Sequence, residues 1–168
     1  ASEFERMLQN LQMNAELWEW RFNLQTGETA ERCLDTVNAE FPTTNPRDQG
    51  YPTRYGYAVT IGPLPTLRFD GIRKYDFASG EHQEVRFGPG IYGSESPFAP
   101  STVATAEDQG YLLSFVQDEL NERSELWIYD ARKLQAGPCT RLAIPQRVPL
   151  GFHACWVEGK DLKAKAPA

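Results

Sequence analysis

Leu17-Trp18-Glu19-Trp20-Arg21-Phe22-Asn23-Leu24 alternates large apolar and polar side chains, then breaks at Gln25-Thr26-Gly27-Glu28. Alternation with a period of two marks a half-buried strand, and a polar tetrad containing glycine marks a turn. The pattern returns at Gly71-Ile72-Arg73-Lys74-Tyr75-Asp76-Phe77, turning at Ala78-Ser79-Gly80-Glu81. A third copy, Ser124-Glu125-Leu126-Trp127-Ile128-Tyr129-Asp130, runs into Ala131-Arg132-Lys133-Leu134. The polar residues that follow the aromatic strands, Asn23, Asp76 and Asp130, lie 53 and 54 residues apart, and Gly27 and Gly80 are again 53 apart. Each copy has a second strand after its turn, at 29–34, 83–87 and 139–144. Longer loops then lead to further apolar strands such as 55–59 and 111–116.

A four-strand unit repeating about every 50 residues is the signature of a β-propeller blade. Such a blade cannot bury both faces alone and needs neighbours on either side. Three units make roughly half a ring, since propellers carry about 4–8 blades. The expected fold is therefore all-β, a partial β-propeller with blade-like units at about 16–60, 70–116 and 124–158 and a tail at 159–168. Ahead of them Phe4, Met7, Leu8 and Leu11 fall at i, i+3, i+4 and i+7, behind the capping-box spacing Ser2-x-x-Glu5. This predicts a short helix over about 3–13, packed on its own domain.

Composition narrows the functional classes. The 168 residues are 40% hydrophobic, enough for a single-domain core. The net charge is −6 with the acids dispersed, so nothing offers the clustered basic surface that tracks phosphates, and nucleic acid is excluded as partner. Three widely spaced cysteines, Cys33, Cys139 and Cys155, give neither a zinc knuckle nor a disulfide framework. They predict reduced thiols in a cytoplasmic setting. Cys155 is expected as a small buried thiol rather than the partner of a Cys–His pair. The start of the chain carries no signal-peptide pattern. No apolar run approaches the roughly 20 residues that span a bilayer, so peripheral contact is the most a membrane is expected to receive.

Of two histidines, His82 follows a hairpin turn and is expected exposed. His153, in Pro149-Leu150-Gly151-Phe152-His153-Ala154-Cys155-Trp156, reads as a buried imidazole at a strand start, the setting of many metal ligands. One histidine cannot hold a metal alone. Glu40, before Phe41-Pro42, and Glu95, within Gly93-Ser94-Glu95-Ser96-Pro97, are 55 residues apart, and His153 follows Glu95 by 58. Equivalent blade positions converge on the channel of a propeller, so these three groups are candidates for one axial site. The other reading has Glu40 and Glu95 capping turns at the rim, solvated. Glu107-Asp108 and Asp118-Glu119 read as solvent-facing turn acids, and Arg54 as one half of a buried pair.

Glu40-Phe41-Pro42, Arg54-Tyr55-Gly56-Tyr57, Tyr92-Gly93-Ser94-Glu95-Ser96-Pro97-Phe98, Asp108-Gln109-Gly110-Tyr111-Leu112-Leu113 and Val148-Pro149-Leu150-Gly151-Phe152-His153 follow one another in a telling order. This ordered set resembles the C-terminal third of the carotenoid cleavage oxygenases. That group includes apocarotenoid oxygenases, the retinal pigment epithelial protein and lignostilbene dioxygenases. The resemblance runs from about Leu17 to Glu158. It implies about three blades of a seven-bladed ring with a non-haem Fe(2+) on its axis, held by four histidines and no first-sphere carboxylate. Three glutamates accept hydrogen bonds from those histidines.

By motif, His153 resembles the last of the four ligands, and Glu40 and Glu95 two of the three glutamates. A carboxylate on the free N–H of a ligating imidazole fixes its orientation and raises its basicity. Glu95 is therefore expected on His153, and Glu40 on a histidine outside this sequence. Phe41 and Phe152 are candidates to line a substrate tunnel, with packing in the blade as the other reading of each. The implied reaction is cleavage of a conjugated C=C bond of a carotenoid or apocarotenoid by O2, giving two carbonyl products. Stilbene cleavage by the same family, and a non-enzymatic partial-propeller binding module, are the alternatives. Three ligand histidines, one glutamate and about four blades have no counterpart here. The chain is thus expected to be a fragment, a truncated product or one part of a split enzyme. It is expected to be inactive alone, with the remaining N-terminal blades as partner.

Overall fold

The computed structural model describes residues 2, 3, 6, 13–64, 66–149 and 153–162. Its repeating element is a hairpin whose turn is closed by the side chain of the recurrent Asn or Asp. Strands β1 (Leu17–Phe22) and β2 (Thr29–Asp35) pair antiparallel, and Asn23 Oδ1 accepts from the Gln25 and Thr26 N–H groups at 2.9 and 3.1 Å. Asp76 Oδ1 does the same for Ala78 and Ser79, at 3.0 and 3.3 Å, between β5 (Phe69–Asp76) and β6 (Glu81–Arg86). In both turns a glycine with positive φ follows, Gly27 at 76° and Gly80 at 77°. A short polar side chain that replaces a backbone acceptor, then a residue free to turn left-handed, explains the 53-residue echo. In the third copy Asp130 Oδ1 binds the Arg132 N–H, and a 3-10 turn at Leu134–Ala136 lengthens the connection.

The remaining strands are β3 (Ala39–Thr43), β4 (Tyr55–Ile61), β7 (Ile91–Tyr92), β8 (Phe98–Pro100), β9 (Gly110–Asp118), β10 (Arg123–Asp130) and β11 (Thr140–Ile144). Among the described residues they form three antiparallel sheets: β1-β2, β3-β4-β5-β6, and β11-β10-β9 with β7 and β8 both on the far side of β9. Hydrogen bonding thus divides the chain between β2 and β3 and between β6 and β7. The expected units at 16–60, 70–116 and 124–158 carry the right period in the wrong phase, because a repeat fixes a unit's length but not where it starts. The pairing of β4 with β5, Tyr55 opposite Asp76 through Ile61 opposite Phe69, joins strands on either side of the expected boundary between 60 and 70.

The second and third sheets pack face to face. Tyr57, Val59 and Ile72 from one meet Phe98, Leu112, Val116, Trp127 and Tyr129 from the other, with Phe69 and Phe87 at the seam. Along the first part of β9 burial alternates: Leu112, Ser114 and Val116 are buried, whereas Tyr111 and Phe115 are exposed and Leu113 is half-buried; Gln117 and Asp118 at its end are both buried. Ties at the sheet ends supplement the core. Lys74 Nζ reaches Asp108 at 2.7 Å and the Ala131 carbonyl at 2.9 Å, and Glu107 accepts from the Arg54 and Tyr55 N–H groups. Glu107 and Asp108, read as solvated turn acids, are therefore latches between sheets. Asp118 is likewise buried, holding Asn121 and Arg123. Arg54 does pair, with Asp76 at 2.6 Å, but half its side chain is exposed because the pair sits at a hairpin end.

The first sheet is joined to the second by Arg73, whose buried guanidinium lies 2.7 Å from both Asp35 and Glu84. The expected helix at 3–13 falls largely outside the described residues. Within that stretch the Arg6 N–H donates to the Ser2 carbonyl at 3.1 Å. No helix among the described residues is long and apolar enough to cross a membrane.

Candidate metal-ligand site

Both glutamates lie at interruptions in the first strand of a four-stranded arrangement. On β3, Glu40 is opposite Val59 but Thr43 is opposite Tyr57, so one extra residue is accommodated as a bulge. Phe41 occupies it at φ 53°, a left-handed backbone that costs a non-glycine residue about 1–2 kcal/mol. Pro42, which cannot donate to a ladder, follows at this edge position. Glu40 Oε2 accepts the Phe41 N–H at 2.8 Å. The turned backbone carries the Phe41 ring onto Phe69, centroids 5.2 Å apart.

The corresponding strand of the third sheet is split into β7 and β8, and Glu95 stands in the gap. Serines substitute for the missing ladder. Ser94 Oγ accepts the Phe115 N–H at 3.2 Å and donates to the Glu95 carbonyl at 3.0 Å, while Ser96 Oγ donates to the Ser94 carbonyl. Gly93 opens the gap, with its N–H on the Phe69 carbonyl at 2.8 Å. A Cβ there would lie 2.5 Å from the Phe87 ring and 2.7 Å from Ser114 Oγ, so no other residue fits without displacement.

From this gap Glu95 Oε2 takes two contacts from a segment 58 residues away: His153 Nδ1 at 3.3 Å and the Ala154 N–H at 2.8 Å. The His153 ring also meets Phe41 edge-on, centroids 5.1 Å apart at 66°. Its side chain is 81% exposed, so the expected burial is not found, nor is the expected strand. The Ala154 N–H is used by a carboxylate rather than a strand partner, and Phe41 meets one side of an imidazole that otherwise faces solvent. A proton on Nδ1 directed at Glu95 leaves the Nε2 lone pair free, the tautomer a metal ligand requires.

A family model described as retinal pigment epithelial membrane protein (RPE65) matches residues 1–158. The chain belongs to this family, the carotenoid cleavage oxygenases. A carotenoid 9,10(9',10')-cleavage dioxygenase 1 from Pisum sativum is 34% identical over 164 residues, covering 90% of this chain and 30% of the relative. The 9-cis-epoxycarotenoid dioxygenase NCED6 of Arabidopsis thaliana is 35% identical over 149 residues, covering 88% of this chain and 25% of the relative. Among solved structures, cobalt-substituted Synechocystis apocarotenoid oxygenase superposes with a TM-score of 0.78 at 28% identity, covering 85% of this chain and 30% of that one. An apocarotenoid oxygenase/RPE65 chimera gives 0.78 at 26% identity. The chain thus spans about 30% of the length of the relatives it matches, and its sheets are part of the carotenoid oxygenase propeller.

Against the iron that carotenoid oxygenases use, this chain's donor set fits one corner of a centre. Among the described residues no three His, Cys, Asp or Glu side chains cluster to hold a metal. His82 is exposed on β6 opposite Tyr75, in a different sheet from the gap that holds Glu95. His153 alone combines an engaged Nδ1 with an open Nε2. Of the expected site residues, the structure brings Glu95, His153 and Phe41 together, puts Glu40 beside Phe41 in the bulge, and leaves Phe152 outside the described residues. Cys155 is exposed, as is Cys139, so the buried thiol expected at 155 is not found. Sequence reasoning missed the Ala154 N–H on Glu95, since a backbone donor leaves no signature in side chains. It also missed the bulge, although Pro42 straight after Phe41 in an apolar strand was its signal.

Proposed function

We propose that this chain is the C-terminal portion of a non-haem iron(II) dioxygenase that cleaves a C=C bond of a carotenoid or apocarotenoid to carbonyl products. His153 serves as one of four histidine ligands, Glu95 as its hydrogen-bond acceptor, and Glu40 as acceptor for a histidine from the remaining blades. The observation that carries this reading is the Glu95–His153 contact, which presents Nε2 outward from an imidazole held on its other side. The names of the dioxygenase relatives support the polyene and O2 as reactants.

Iron held by neutral imidazoles supplies a centre that binds and activates O2 beside an apolar substrate. The work of this chain is to hold the ligand. Glu95 fixes the His153 tautomer with the proton on Nδ1, and the Ala154 N–H keeps that carboxylate from swinging away. The two glutamates also place negative charge near a dication whose ligands are neutral, which offsets the cost of burying it. The exposed apolar side chains Tyr111, Phe115 and Leu142 on the third sheet suit cover by a further blade, as do Trp20 and Phe22 on β1. A cytoplasmic location, with peripheral membrane contact, belongs to the same proposal.

Co-expression of this chain with the remaining blades, followed by iron analysis and incubation with an apocarotenoid under O2, tests the reading. One iron per complex and two carbonyl products are expected. A folded complex that binds no iron and forms no aldehyde or ketone contradicts it.

A further inference from the structure

We propose that Phe41 is a positioning residue for His153, its ring setting the plane in which the imidazole presents Nε2. The inference rests on the reading of His153 as a ligand. Glu95 constrains His153 through a single long contact of 3.3 Å, and one hydrogen bond leaves the ring free to rotate about that axis. A second constraint from another direction is needed to fix the plane. The Phe41 ring supplies it, edge-on at 5.1 Å and 66°, the arrangement aromatic quadrupoles favour.

Phe41 is itself held firmly enough to act as a stop. Its backbone sits at φ 53° in the β3 bulge, its N–H is bound by Glu40, and its ring lies against Phe69, which is buried. A left-handed phenylalanine persists only where surroundings over-determine it, and such positions gather at functional sites. The bulge thereby couples the two glutamates: Glu40 steadies the residue that steadies the histidine bound by Glu95. A tunnel-lining role for Phe41 needs none of this geometry.

The test uses the full-length, iron-loaded enzyme and measures release of ferrous iron to a chelator. Phe41→Leu should accelerate release about two- to tenfold, the range of one aromatic contact. Phe41→Tyr, which keeps the ring, should release at the wild-type rate. So should Phe98→Leu, a comparable core truncation elsewhere. Wild-type release from Phe41→Leu, or equal acceleration in Phe98→Leu, overturns the proposal. Should Phe41→Leu fail to fold, NMR on metal-free wild-type protein decides: nuclear Overhauser effects between the Phe41 and His153 rings are expected, and their absence overturns the proposal. His153→Ala separates the two levels. If it keeps its iron, the ligand reading fails and the positioning role with it. If it loses iron while Phe41→Leu behaves as wild type, only the positioning role fails.

Discussion

Glu95 and His153, 58 residues apart, meet through Oε2 and Nδ1 at 3.3 Å, and the same oxygen binds the Ala154 N–H at 2.8 Å. One carboxylate oxygen thus holds both the side chain and the backbone of the segment that follows Pro149. In a ligating imidazole, loss of such a partner costs about 10–100-fold in metal affinity. Glu95→Gln in the full-length enzyme should weaken iron binding within that range, measured by competition with a chelator. Glu95→Ala should weaken it further, because the Ala154 N–H loses its acceptor too. Unchanged affinity in both would detach Glu95 from the metal.

Gly93 governs where Glu95 stands. A Cβ at this position meets Phe87 at 2.5 Å and Ser114 Oγ at 2.7 Å, and neither neighbour is at a free surface. Gly93→Ala should destabilise the protein by about 1–3 kcal/mol, the usual cost of overpacking. It should also lower iron occupancy by shifting the Glu95 loop. Thermal melts paired with metal analysis check both effects.

Arg73 is the buried link between the first and second sheets. Its truncation to Ala strands Asp35, whose side chain is 15% exposed, without its cation, whereas Glu84 keeps Arg86 at 2.6 Å. Breaking a buried pair costs about 3–5 kcal/mol, and the second cation on Glu84 and the partial exposure of Asp35 argue for the lower end. A melting point equal to wild type for Arg73→Ala would show that this link carries no stability.

Acid should loosen the hairpin ends. Arg54, with help from the Ala78 and Ser79 N–H groups, holds the Asp76 carboxyl well below the ordinary carboxylate range. For Asp35, burial pushes upward, but the Val37 N–H, Tyr75 and Arg73 together outweigh it, and its carboxyl also ends lower than usual. A lowered folded value means the stabilisation is complete above the unfolded value of about 3.9 and fades as pH falls through the folded one. Stability should therefore drop steeply below about pH 4. In a double Asp35→Asn, Asp76→Asn variant that slope should flatten. Denaturation at stepped pH reads it directly, and an unaltered slope contradicts the assignment.

Much of the fold was legible because its hairpins are local. Asn23, Asp76 and Asp130 mark turns that close within a few residues, and their spacing reports the repeat. Sheet membership was less legible: β4 and β5 pair with each other, and the sequence between them, 62–68, does not say which neighbour either strand prefers. At the site, spacing and motif order brought out Glu40, Glu95 and His153. The exposure of His153, the left-handed turn at Phe41 and the Ala154 N–H depend on how three distant segments meet. The latches by Glu107 and Asp108 were hidden for the same reason, since an acid in a polar loop reads alike whether it faces water or the Lys74 ammonium.

In the proposed centre His153 Nε2 binds iron while Nδ1 rests on Glu95. Anomalous diffraction at the iron edge, from crystals of the full-length protein, decides this. An iron peak in direct contact with Nε2 of His153 is expected, with Glu95 still on Nδ1. An iron peak away from His153, or bound through Nδ1, contradicts it.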